Sequence, residues 1–347
     1  MKPLTEKQLW AIGSLAALSP LLRLIPEANL RAADAAGWLS PLAAAPALLL
    51  YAALLRSLLS RRSGDETLCA LLRRKIGRAA TAACGLWFLV YAAFLLRAGA
   101  ERFYSALGVF TRWEPFALAL LAAAVPAAAG GKKALGRAAQ IYLAAVTGIL
   151  LLVVLCAAPQ MQWGRLRALR LGDAPRILRG ALPTANIGAA VLFLLAFLAP
   201  PGKTAPRRAA VWTLRLTGTA ALLSALAVGI FGAALTTHLS HPFFVLLRNI
   251  RLSRAMERME ALISAVWVLP DLMMLSSLLL LGRETLSRPE KPLPVWLPGA
   301  LVGALSALFS RTAFGLRIWS ETILPAANAV IVLAVPALAL LRGRKFD

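Results

Sequence analysis

The chain has 347 residues, 60% of them hydrophobic, and a formal net charge of +23. With a mean hydropathy of +0.73, it lies well above the apolar share of about 45–50% that soluble domains carry, which excludes that class and indicates a polytopic membrane protein. The basic residues stand in short clusters between apolar runs, a pattern set by lipid headgroups and the positive-inside rule rather than by nucleic acid.

Ten apolar runs are expected to cross the bilayer, at about 8–26, 38–58, 79–100, 114–130, 138–158, 182–200, 209–236, 260–281, 295–311 and 322–341; about 20 residues suffice for a crossing. The first run begins near Leu9, outlasts a signal peptide's apolar region and lacks a small-residue cleavage site, so no cleavable signal is expected. If the N-terminus is inside, most Lys and Arg fall on inside segments, among them Arg73, Arg74, Lys75, Lys132, Lys133, Arg342 and Arg344. Both termini are therefore expected in the cytoplasm. Two outer segments, 160–179 and 242–258, are also rich in arginine. Leu166, Leu169 and Ile177 in the first, and Phe244, Leu247 and Ile250 in the second, alternate with arginines. Each reads as an external amphipathic helix whose arginines either hold headgroups or dock a partner.

Ten spans divide into two fives, and an odd number per half gives the halves opposite orientations. The expected fold is an all-α, LeuT-like 5+5 inverted repeat. Its halves are 1–158 and 182–347, joined by an external amphipathic connection at 159–181, with a further external helix at 242–258. In that architecture the first helix of each half is broken near the midplane. Span one offers Gly13-Ser14 and Leu18-Ser19-Pro20; span six opens with Leu182-Pro183-Thr184-Ala185-Asn186-Ile187-Gly188. Such Gly/Pro interruptions point to a ligand site, although proline at 183 also suits a helix start.

Ionisable residues in hydrocarbon are costly, by at least about 2.5–3.5 kcal/mol, and tend to be functional. Asp271 stands in mid-span eight directly after Pro270. It suits a proton acceptor, a partner of Arg97 or Arg215, a ligand for an ammonium group, or a cap for backbone freed by the proline. Arg23, Arg97 and Arg215 lie near enough to span ends to snorkel. Trp87, Tyr91 and Phe94 share a helical face that either lines a cavity or packs, and Ser276 and Ser277 either coordinate a cation or pack between helices. Trp38, Trp113, Trp163, Trp296 and Trp319 read as interface anchors. Cys69, Cys84 and Cys156 have no metal or disulfide spacing, and His238 and His241 have no ligating neighbours. No catalytic motif or cofactor-binding motif is present, so neither an enzyme nor a cofactor is expected.

Met256-Glu257-Arg258-Met259-Glu260-Ala261-Leu262, after an interfacial helix and before Trp267, carries a Glu-Arg-x-Glu-Ala-Leu element. Leu4-Thr5-Glu6-Lys7-Gln8-Leu9 supplies a Thr-x-x-Gln opening. In these two stretches the chain resembles the GerAB-type permeases, the B subunits of bacterial spore germinant receptors, within the amino acid, polyamine and organocation transporter superfamily. The resemblance implies a protein of the spore inner membrane that binds an amino acid, sugar or nucleoside-type germinant and works with A and C subunits. The chain departs from such relatives where Leu18-Ser19-Pro20 replaces a glycine-containing element, and where Gly188-Ala189-Ala190 replaces a Gly-x-Glu-like one.

The expected ligand site is a cavity between spans one, three, six and eight involving Ser19, Pro20, Tyr91, Thr184, Asn186, Gly188, Trp267 and Asp271. Three readings remain open: a germinant-sensing subunit, an ion-coupled transporter of amino acids or amines, and an assembly scaffold without a ligand.

Overall fold

The computed structural model describes residues 4–107, 112–166, 171–200, 206–239, 242–249, 259–287, 292–309 and 313–342, and every regular element among them is helical. Helix α1 (Glu6–Ala33) starts at a capping box: Thr5 Oγ1 accepts the Gln8 amide at 3.3 Å, and Gln8 Oε1 accepts the Thr5 amide at 3.1 Å. Two of the amide protons left over at a helix start are thereby satisfied. A 3₁₀ turn, Asp34–Leu39, reverses the chain. At Gly37 a Cβ would come within 2.8 Å of the Asn29 carbonyl oxygen, so only glycine lets this turn fold onto α1. Helix α2 (Ala45–Leu59) follows.

The short helix α3 (Leu68–Ile76) begins at Thr67, whose side chain accepts the Ala70 amide. It buries Leu68, Leu71, Leu72 and Ile76, an amphipathic face outside every expected span. Beyond it come α4 (Arg78–Leu107), α5 (Glu114–Ala129), α6 (Gly131–Ala157), α7 (Ala174–Leu198) and α8 (Pro206–Phe231). The chain continues through the short helix Ala233–His238 to α9 (Pro242–Asn249), α10 (Met259–Leu286) and α11 (Trp296–Leu308). A helical turn, Ala313–Ile318, and a π-helical turn, Trp319–Ile323, lead into α12 (Leu324–Arg342).

Every expected span thus falls on a helix, with shifted ends. Among the described residues six stretches are long and apolar enough to cross a membrane, the first of which, Glu6–Leu59, contains both α1 and α2. Helices α5 and α11 are shorter apolar helices. Leu50, Ile141, Leu155, Leu308 and Phe314 stay between 62% and 80% exposed, an apolar exterior suited to lipid rather than water. The chain is an integral membrane protein.

Helix α1 is the central post. It packs most extensively on α7 and also meets α6, α8 and α10, while α4 packs on α10. Small residues permit the close approaches, as in many membrane bundles. A Cβ on Gly13 would stand 2.5 Å from Leu195, and one on Gly282 2.4 Å from Leu89.

Two expectations are corrected. Spans one and six are unbroken: α1 runs through Pro20 and Pro26, and α7 through Pro183. A proline removes one amide donor, and a helix enclosed by neighbours holds its course around that single loss. The described residues of the connection at 159–181 do not form one amphipathic helix. They form 3₁₀ turns at Ala158–Gln160, Trp163–Arg165 and Leu171–Asp173, and α7 takes over from Ala174. Pro159 and Gly164 interrupt any continuous helix there, whereas Pro175 suits the first turn of α7. The helix expected at 242–258 is present as α9 up to Asn249, with Phe243 and Leu246 buried; residues 250–258 lie outside the described residues.

Candidate functional site

Two adjoining features occupy the interior. The first is a charged cluster where α1, α4 and α10 meet. Asp271 Oδ1 accepts the Ser19 hydroxyl at 2.5 Å, and Asp271 Oδ2 accepts Arg102. Arg102 and Asp271 form a salt bridge in which both side chains are almost wholly buried. The Arg102 guanidinium also lies 5.1 Å from the centre of the Trp267 ring and 5.3 Å from that of Phe103. These contacts add cation–π attraction where water is excluded. Gly99 supplies the space, since a Cβ there would come within 3.3 Å of Asp271 Oδ2. Trp267 in turn meets Phe243 of α9 at 6.1 Å, so α9 is docked onto the cluster.

The second feature is a cavity of about 660 Å³ lined by α1, α2, α4, α7, the π-helical turn and α12. Its size is that of an ordinary small-molecule site. Most of the wall is aliphatic, including Leu24, Leu48, Ile187 and Val332. The polar groups are Arg23, Tyr51, Tyr91, Asn186 and Asn328, with Arg31, Ser320 and Glu321 at one end. Arg23 is buried, with its guanidinium 5.4 Å from the centre of the Phe94 ring. It stands one helical turn beyond Ser19, so α1 presents one face to both features, and its charge interacts with Asp271.

A hydrogen-bonded chain crosses the wall. Trp87 Nε1 donates to Asn328 Oδ1 at 3.4 Å, Asn328 Nδ2 to Asn186 Oδ1 at 2.9 Å, and Asn186 Nδ2 to the Pro325 carbonyl at 2.8 Å. Trp87 stacks on Tyr91 at 6.1 Å. Tyr51 donates to the Val332 carbonyl at 2.8 Å and ties α2 to α12. At the rim, Arg31 joins Glu321 at 2.7 Å and also pairs with Glu27; Arg317 reaches Glu321 at 2.9 Å and Glu27 at 3.5 Å. Four alternating charges therefore link the far end of α1 to the π-helical turn.

The expected site residues divide between these features. Tyr91 and Asn186 line the cavity, whereas Ser19, Trp267 and Asp271 belong to the charged cluster. Pro20 is buried within α1 and a Cβ on Gly188 would meet Leu48 and Leu216, and neither residue lines the cavity. Thr184 accepts Asn29 Nδ2 at 3.5 Å and is buried off the cavity wall. The cavity expected between spans one, three, six and eight lies instead among spans one, two, three, six and ten, because α10 turns Asp271 toward Arg102. Gln8 caps α1. Glu257 and Arg258 lie outside the described residues, as does the side chain of Glu260. Ser277 donates to the Met273 carbonyl of its own helix at 2.8 Å, and Ser276 is buried near it. Among the described residues no group of three or more His, Cys, Asp and Glu side chains gathers to hold a metal.

Three arginines lie deeper in the bundle than their sequence positions suggest. Arg102, beyond the expected end of the third span at residue 100, lies within α4 and is the partner of Asp271, in place of Arg97 or Arg215. Arg97 does not snorkel: it is buried, pairs with Glu101 at 2.6 Å and lies 4.2 Å from the centre of the Trp113 ring. Arg23 likewise faces the cavity. A signal for the longer α4 exists in the sequence. Arg97 and Glu101 stand at i,i+4, and no glycine or proline separates residues 100 and 107.

No curated protein matches the chain. The sequence model of a family described as spore germination protein matches residues 16–282, from α1 to the last turns of α10. That range includes the charged cluster and the α1, α2, α4 and α7 walls of the cavity, while Glu321, Pro325 and Asn328 lie beyond it. The chain is a member of the spore permease family, the family of spore germination proteins.

Proposed function

We propose that this protein is the transporter-like B subunit of a germinant receptor, which binds a small, amino-acid-like nutrient in the cavity and signals germination through A and C partner subunits. The observation that carries the proposal is a cavity of about 660 Å³ between helices drawn from both halves of the sequence, with buried Arg23 and half-buried Tyr91 and Asn186 in its wall. A ligand touching α1, α7 and α12 together stabilises one arrangement of the two halves, and a partner that reads that arrangement receives the signal. The halves are two inverted five-helix repeats, 1–158 and 182–347, in a spore inner membrane with both termini in the cytoplasm. The alternative, an ion-coupled transporter, has less support: the carboxylate in mid-bundle, Asp271, is engaged by Arg102 and Ser19.

The test is dipicolinate release from host spores lacking the protein, complemented with the wild type or with Ala189→Trp, which places an indole in the cavity. Wild type restores the response to one nutrient and Ala189→Trp at equal abundance does not. A normal response in Ala189→Trp overturns the cavity as the germinant site. Nutrient uptake driven by an ion gradient in vesicles holding this chain alone favours the transporter.

A further inference from the structure

We infer that the cavity recognises its ligand through a carboxylate alone: the molecule it takes is a monocarboxylate with a short aliphatic body, for which an amino group is dispensable. The inference rests on the cavity being the germinant site and narrows the chemistry of that site.

The backbone offers little to a ligand. In a broken helix, freed carbonyls bind an ammonium group and freed amides bind a carboxylate. Here α1 runs unbroken from Glu6 to Ala33 and α7 from Ala174 to Leu198, so their interior amides and carbonyls remain engaged within the helices except the carbonyls of Ala16, Leu22 and Arg179, which lie four residues before Pro20, Pro26 and Pro183. Recognition falls to side chains.

Among those, Asn186 and Asn328 bond to each other and to their surroundings. The charge the wall presents at depth is Arg23, beside Tyr91. A guanidinium shielded from water suits a carboxylate, because its planar donors bind both oxygens at once. The carboxylate in the wall, Glu321, stands at the rim and is held by Arg31 and Arg317. An ammonium ion deep in the cavity would face Arg23 rather than an acid, a like-charge approach in a low-dielectric space. The remaining surface, including Leu24, Leu48, Ile187 and Val332, suits a branched aliphatic body.

The experiment measures calorimetric binding to the full chain in lipid nanodiscs, with empty nanodiscs as the blank, using three probes of one shape. These are L-leucine, 4-methylpentanoate (its carbon frame without the amine) and 3-methylbutylamine (the frame without the carboxylate). The expected result is that 4-methylpentanoate binds within about threefold of L-leucine and that the amine binds at least about tenfold more weakly, a difference of about 1.4 kcal/mol. Arg23→Gln loses at least about tenfold for both carboxylates, Arg23→Lys retains part of it, and Ala189→Trp binds none of the probes. The wild-type comparison needs no variant and so does not depend on how Arg23→Gln folds. If the amine binds as well as 4-methylpentanoate and Ala189→Trp abolishes both, the charge inference is overturned and the cavity remains the site. No binding of any probe also overturns the inference. The germination phenotype of Ala189→Trp then decides separately whether the cavity reading survives.

Discussion

Arg102 and Asp271, 169 positions apart in sequence, close a salt bridge inside the bundle with 3% and 1% of their side-chain surfaces exposed. Breaking such a pair from one side strands a charge and destabilises by about 3–5 kcal/mol, whereas replacing both partners by apolar groups is often close to neutral. We therefore expect Asp271→Asn to lower thermal stability in detergent sharply, and Arg102→Met combined with Asp271→Leu to recover most of the loss. If the double variant is as unstable as the sum of the two singles, the pair is not a coupled unit.

The same two helices meet through a reciprocal glycine contact. A Cβ on Gly85 of α4 would stand 2.3 Å from Thr285 Oγ1 of α10, and one on Gly282 of α10 would stand 3.5 Å from the Gly85 carbonyl. Thr285 Oγ1 donates to the Leu281 carbonyl at 2.6 Å, so it cannot rotate away without losing that bond. Gly85→Ala is expected to cost about 1–3 kcal/mol, the range for overpacking, and Gly85→Leu to prevent a folded bundle. Unchanged heat resistance of Gly85→Leu on size-exclusion chromatography would show that α4 and α10 do not approach this closely.

The rim lattice of Glu27, Arg31, Arg317 and Glu321 joins α1 to the π-helical turn at the mouth of the cavity. Each partly exposed pair alone contributes at most about 1 kcal/mol, but a connected set is worth more, and salt weakens it. With Ala329→Cys as a reporter in the cavity wall, Glu321→Gln should raise the rate of modification by a charged thiol reagent several-fold. High salt should raise it in the parent as well. A rate that neither change moves would remove the lattice as a barrier at the mouth.

The helices were legible in the sequence because apolar length and proline and glycine positions are local properties. So was Asp271 as an unusual residue, since a lone acid in a span needs a reason wherever it points. Its partner was not legible. Glu101 and Arg102 looked like the polar end of a span, because the sequence does not show that Asp271 lies opposite one more turn of α4. Asn328 was missed for a similar reason: a single amide in an apolar run gains meaning only when Asn186 and Trp87 come within hydrogen-bond reach. The prolines misled in the other direction. Local chemistry favours a break at Pro20 and Pro183, and packing on both sides of α1 and α7 holds the helices straight through them.

The asparagine pair separates support of the fold from recognition. Asn328→Leu leaves Asn186 Oδ1 and Trp87 Nε1 without the partners they have now. Each stranded group in so apolar a wall is expected to cost about 1–3 kcal/mol. In Asn186→Leu combined with Asn328→Leu, one unmet donor remains, Trp87 Nε1, so the double variant should be more stable than Asn328→Leu. Its cavity keeps Arg23 and Tyr91. A double variant that regains stability and still binds 4-methylpentanoate would assign the pair to the wall's cohesion. One that regains stability and loses binding would make the amides part of the ligand's own hydrogen bonding, with Arg23 necessary and not sufficient.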